Sequence, residues 1–205
     1  MDRLKECAVI FSGLFDIKYI LKLGRKNVLT EIELVFDKKD FYHLIGLQKL
    51  IDLGNLKKDR GIIFDEIMRE HITYEMIQSS AYFRENQAKN IIGIEKRIDA
   101  FIFFEKLLDS PHSVFKYNNK NQQDSNIQAE FLIESREFLP DILYLFLDKF
   151  SDADLRYGKS FFPKTKKDYT INQTSMTLLY KEKVHIGTGK SDIQFDRLTP
   201  KKAKR

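Results

Sequence analysis

Tryptophan is absent from this chain, and cysteine occurs once, at Cys7. A lone thiol cannot close an internal disulfide, so core packing rather than cross-linking must hold the fold, as expected of a cytoplasmic protein. In an apolar helical stretch, Cys7 reads as a buried structural thiol rather than a nucleophile. Histidine is also scarce. His43, His71, His112 and His185 stand far apart and show neither an HExxH pair nor Cys/His spacing, so no metal site and no cofactor are expected. No stretch approaches the roughly 20 uninterrupted apolar residues of a membrane span, because charged residues punctuate every helix-length window, and no membrane partner is expected. The apolar run Ala8 to Phe15 does not read as a signal peptide, since Asp16 and Lys18 follow at once and no small-x-small cleavage site appears. The GTGK at 187–190 lacks the GxxxxGK[ST] frame of a phosphate loop and reads as a turn between strands.

What is present is core-forming. Hydrophobic residues make up 42% of the 205 positions, with 17 Phe and 9 Tyr, enough to bury a sizeable core although 32% of residues are charged. The net charge of +5 is unevenly placed. Arg156, Lys159, Lys164, Lys166 and Lys167 fall in one stretch without an acid, and Lys201, Lys202, Lys204 and Arg205 end the chain. Such clusters suit a phosphate backbone, whose counterions they displace, and equally suit a solvated surface or tail.

Periodicity predicts a helix over 3–15, a strand pair over 17–23 and 28–36, and a helix over 41–53 capped by Asp40 and stopped by Gly54. Helical spacing continues from 59 to 108, with 94–108 the strongest helix, and Ser110 and Pro111 then break the chain. Strands are expected over 113–118, 127–135, 141–150, 175–186 and 193–198, with a corner over 138–140, and the segment around 160–173 is expected to be a connecting loop. The expectation is α+β, with N-terminal and central helices packed against a small antiparallel β-sheet, as a single domain over 1–198 and a basic tail over 199–205.

Two segments carry candidate chemistry. His43 lies one turn into a helix, where the dipole disfavours its charged form and favours a base near neutral pH; a packing histidine is the plain alternative. Gly46 would let a neighbour approach that face. The block from Ser160 through Lys164, Tyr169 and Gln173 to Tyr180, Lys181 and Lys183 mixes hydroxyls, an amide, amines and aromatics, the parts that grip a sugar-phosphate chain. It reads equally as a loop and edge strand in which Phe161 and Phe162 plug the core.

FYHLIGLQKL, IEKRIDAFIFFEKLLD, IQAEFLIES, ILYLFLDKF and the SFFPKTKKDYT…Q…LLYKEK block together resemble the phage-type nucleases of the barnase, EndoU, colicin E5/D and RelE-like (BECR) superfamily, fourth phage class. The resemblance spans about residues 5–198. It implies N-terminal helices on a small antiparallel sheet and RNA cleavage without a metal, with the ribose 2′-OH as internal nucleophile. It further implies His43 as base or acid, Ser160, Gln173 and Tyr180 orienting phosphate or sugar, and Lys181 or Lys183 stabilising the transition-state charge. Arg156, Lys159, Lys164, Lys166, Lys167 and Tyr169 would hold the RNA. A toxin or phage-conflict effector of this type would have an acidic antitoxin or immunity protein as partner. The rival readings are a non-catalytic binding module of a mobile element, and a protein that docks a partner through exposed Phe161 and Phe162.

Overall fold

The computed structural model describes residues 1–89, 91–110, 112–122, 125–138, 141–150 and 154–200. Pro111, the end of the 138–140 corner and the basic residues Lys201, Lys202, Lys204 and Arg205 lie outside them.

Helix α1 (Arg3–Ser12) opens the chain, with the Asp2 carboxylate accepting from the amides of Leu4 and Lys5 at 3.0 and 3.1 Å. It buries Leu4, Cys7, Ala8 and Phe11, an i, i+3, i+4, i+7 stripe. Burial pushes the Cys7 thiol up to about 12, so it stays protonated. Strands β1 (Ile17–Arg25) and β2 (Val28–Leu34) form the expected antiparallel pair. The next helix is much shorter than its periodicity predicts. Helix α2 (Phe41–Leu44) ends where Gly46 adopts a left-handed φ of 92°, and a 3-10 turn over Leu47–Lys49 replaces the rest; Asp40 makes no side-chain cap bond. Helices α3 (Arg60–Met68), α4 (Tyr74–Gln78), α5 (Glu95–Phe101) and α6 (Phe104–Asp109) follow, so the expected long helix over 94–108 is two short ones.

The second half is β: β3 (Ser113–Lys116), β4 (Phe131–Phe138), β5 (Asp141–Lys149), β6 (Leu155–Pro163), β7 (Thr174–His185) and β8 (Ser191–Asp196). Here the expected architecture is corrected. Instead of a small antiparallel sheet under packed helices, the strands close into a seven-stranded mixed barrel in the order β1-β2-β6-β5-β4-β3-β7, sealed by β7 against β1, with β8 added on β7. The β2–β6 pairing is parallel and short, Glu33 with Leu155 and Leu34 with Arg156; the other pairings are antiparallel.

The decisive strand is β6, which none of the expected strands covers and whose last residues fall in the expected loop around 160–173. Its burial alternates at Arg156 and Gly158, then breaks and resumes at Phe161 and Pro163. The break is a β-bulge. Leu147 pairs with Gly158 and Phe146 with Ser160, leaving Lys159 as the extra residue. A bulge erases the period of two by which a strand is read from sequence. Phe161 is fully buried against Phe101 and Phe104 at 5.6 and 5.1 Å between ring centroids, and Phe162 is half-buried against Phe146 and Tyr169, so these rings do not form an exposed docking pair.

The main core joins the helix residues Phe11, Phe41, Phe101 and Phe104 to one face of the strands, including Leu21, Ile32, Ile133, Leu145 and Phe161. A second cluster, Tyr117, Leu132, Tyr144 and Phe146, fills the opposite face of β4 and β5 and is covered by Ile127, Phe162 and Tyr169. Apolar contact on both faces fixes β5 and β6 rigidly, and the loops covering the second face form the site described next.

Candidate active site and nucleic-acid groove

Gly158 determines where His43 sits. A Cβ on Gly158 would lie 3.0 Å from Leu44 and 3.1 Å from Phe36, so the bare backbone lets α2 press closely onto β6 without displacing those side chains. That contact sets His43 in the same cleft as Lys159 and Ser160, the bulge residues of β6, together with Asp40, Gln48, Arg60 and Tyr157, in a cavity of about 410 Å³. Bulges are a common means of re-aiming side chains at active sites. Burial, together with the positive charges of Arg60, Lys159 and Arg97, lowers the His43 pKa below its usual value, so the imidazole is neutral near pH 7 and able to accept a proton. Burial pushes the nearby Asp40 carboxyl up to about 6, although the Asp37 amide donates to it at 2.9 Å.

Beyond Gln48, Ser160, Asn126 and Ile127, which line both spaces, the cleft runs into a deeper cavity of about 390 Å³. Lys49, Arg97, Phe162 and Tyr169 line it. Past Ile92, Thr165 and Tyr169 it opens into a broad depression of about 1140 Å³ that carries Lys120, Lys166 and Lys167. The three spaces form one cationic groove from α2 to the 164–172 loop. That loop is shaped by Asp168, whose carboxylate accepts from the Thr170 amide and hydroxyl at 2.9 and 2.6 Å, from Tyr144 at 3.2 Å and from Lys164 at 2.5 Å. Burial works against ionisation of Asp168, but the bonds from Lys164 and Thr170 outweigh it and hold the carboxyl well below the usual range.

The other candidates stand differently. Lys159 pairs with Asp148, Lys164 with Asp168, and Arg156 with Glu130 at 3.0 Å while also bonding the Asp154 carbonyl, so Arg156 ties β6 to the chain ahead of β4. Lys166 is exposed in the groove, and the Lys167 ammonium lies 5.3 Å from the Tyr169 ring centroid. Gln173 closes a two-bond clasp with the backbone of Asn118, at 2.7 and 3.1 Å. Tyr180, Lys181 and Lys183 belong to β7, three strands from β6 in one direction round the ring and four in the other, and line none of the three groove cavities. Lys181 is 1% exposed and donates to the carbonyls of Leu108 and Ser110 at 2.9 and 2.6 Å, where it closes the end of α6. Lys183 pairs with Glu105 and Asp109 at 3.0 and 2.9 Å, and Tyr180 donates to Glu182 at 3.0 Å. The structure thus brings His43, Lys159 and Ser160 together and leaves the β7 residues on the far side.

Sequence reasoning missed Lys49, Arg60 and Arg97. Lys49 and Arg97 sit within segments read as amphipathic helix, where a cation looks like solvated surface. The available signal was Gly46, whose φ of 92° and absent Cβ leave room for the Arg97 Cδ, 3.0 Å from where a Cβ would stand. Among the described residues, no three His, Cys, Asp or Glu side chains gather as a metal site.

A family model described as phage-Barnase-EndoU-ColicinE5/D-RelE like nuclease4 matches residues 3–198, and the chain belongs to that family. No curated protein and no solved structure matches it.

Proposed function

We propose that this nuclease-like protein is an endoribonuclease that cleaves by transesterification, with His43 as the base. The carrying observation is that a half-buried imidazole of lowered pKa and the two residues of the β6 bulge line one cleft at the head of a cationic groove. In this reaction neutral His43 takes the proton of a ribose 2′-OH. The 2′ oxygen forms a bond to the adjacent phosphorus, and the bond from phosphorus to the 5′ oxygen breaks. The leaving oxygen acquires a proton, and the products are a 2′,3′-cyclic phosphate and a 5′-hydroxyl. Lys159 and Arg60, which line the cleft, supply positive charge where the phosphorane gains negative charge, and the Ser160 hydroxyl donates to a phosphate oxygen. The base and the cations of this scheme are all side chains, so none of its steps calls for a metal.

The test is incubation of the purified protein, with EDTA, on single-stranded RNA and on DNA of the same sequence. Expected are cyclic-phosphate ends from RNA and intact DNA, because DNA lacks the internal nucleophile. Loss of a general base costs about 10²–10⁴ in rate, and His43→Ala should lose that much while keeping its unfolding temperature. Intact RNA with wild-type protein, or full cleavage by His43→Ala, refutes the assignment.

A further inference from the structure

Arg97 is 5% exposed, yet among the described residues no carboxylate pairs with it. One of its five N–H groups donates to the His43 carbonyl at 3.2 Å, and the Phe162 ring lies 5.2 Å from the guanidinium. Those contacts offset only part of the cost of burying a cation. Lys49 lines the same cavity, and no acceptor among the described residues lies within hydrogen-bond distance of its Nζ. Gln48, at the junction with the His43 cleft, carries a buried Oε1 that receives no hydrogen bond. Two cations without an anion and one acceptor without a donor among the described residues therefore converge on a cavity of about 390 Å³. That volume suits a single nucleotide and falls at the low end of small-ligand pockets.

We infer that this cavity is a subsite for one splayed nucleotide of a single strand, its phosphate on Arg97 and Lys49 and a ribose or base donor on the Gln48 carbonyl. A duplex cannot use it. Its phosphates stay on the outside of a stiff cylinder and cannot reach a guanidinium this deeply buried, whereas an unpaired strand can turn one nucleotide inward. The pocket therefore selects single-stranded over double-stranded substrate. Only the identity of the strand as RNA rests on the proposed activity.

The experiment separates binding from cleavage by using a fluorescein-labelled 2′-O-methyl RNA decamer, which has no nucleophile, alone and as a blunt duplex. Charge-assisted hydrogen bonds contribute about 1.5–3 kcal/mol, so Lys49→Met should weaken single-strand binding by about tenfold or more, and Arg97→Met likewise. Duplex affinity should not change in either variant. Arg97 also braces the loop at Gly46 and its variant could fail to fold; Lys49 makes no side-chain bond to any described residue, so Lys49→Met keeps the test decisive. Equal affinity of the wild type for strand and duplex, or an unchanged Kd in Lys49→Met, overturns the subsite. Lys49-dependent binding with no cleavage of unmodified RNA would leave the subsite standing and remove the nuclease reading; cleavage indifferent to Lys49 would do the reverse.

Discussion

The faces around β6 and β7 hold similar residues to opposite effect. On the β7 side, Lys181 bonds two carbonyls and Lys183 two carboxylates, so their charge is spent within the fold. On the β6 side, Lys49 and Arg97 are withdrawn from water and meet no anion among the described residues. A buried cation matched by its own protein is architecture; one left unmatched beside a cavity is provision for a ligand. Composition alone cannot separate the two, since both faces combine lysines with aromatics and hydroxyls.

The sharpest way to break this contrast is a pair of variants measured together. His43→Ala should remove about 10²–10⁴ of the cleavage rate and little stability. Lys181→Met should do the opposite: it leaves the Leu108 carbonyl without its donor and the Ser110 carbonyl to His112 alone, costing about 1–3 kcal/mol, while the folded molecules cleave at the wild-type rate. Thermal unfolding and initial rates on the same samples decide it. A Lys181→Met protein that folds normally but does not cleave would return β7 to the chemistry.

A smaller effect tests how the groove is braced. Gly46 has a φ of 92°, and a Cβ there would stand 3.0 Å from both the Arg97 Cδ and the Ile94 Cγ2. Gly46→Ala should therefore cost about 1–3 kcal/mol in denaturant unfolding. It should also weaken single-strand binding, because Arg97 must move to accommodate the methyl group. Stability lost with the Kd unchanged would mean that the position of Arg97 does not matter to the ligand.

Many of the strands were legible in the sequence, although their arrangement was not. The β1–β2 pair, the turn at 187–190 and five of the six later strands follow from short runs of β-branched, aliphatic and aromatic residues bounded by turn residues; β4 and β5, buried on both faces, do so without alternating. Barrel closure was not legible. It depends on β6, whose Lys159 bulge disrupts alternation, and on β7 meeting β1 across more than 150 residues, which no local pattern records. For the candidate site, His43 was nominated through its place at a helix start after a strand, whereas Lys49 and Arg97 were hidden because helical periodicity treats any cation as outward-facing. Their significance lies in burial without an anion among the described residues, which only the tertiary structure defines.

The smallest expected effect at neutral pH is also the most specific to the β6 face. His43 must be neutral to take a proton, so kcat/KM should fall on acidification, but only below the usual histidine range, because burial and its three cationic neighbours lower its pKa. On the alkaline side, burial and the nearby Arg97 bring Lys49 down to about 8. Above that pH the free protein loses the ammonium that holds the neighbouring phosphate, and kcat/KM should decline. A bound phosphate favours the charged form, so the same limb should be absent or displaced upward in kcat at saturation, which reports the complex rather than the free protein. Lys49→Arg keeps the charge at every accessible pH and should leave the rate at pH 7 within a few-fold while abolishing the limb near 8. A limb unchanged in that variant would assign it to another group, such as Lys181, which burial also lowers to about 8, and would erase the distinction between the two faces.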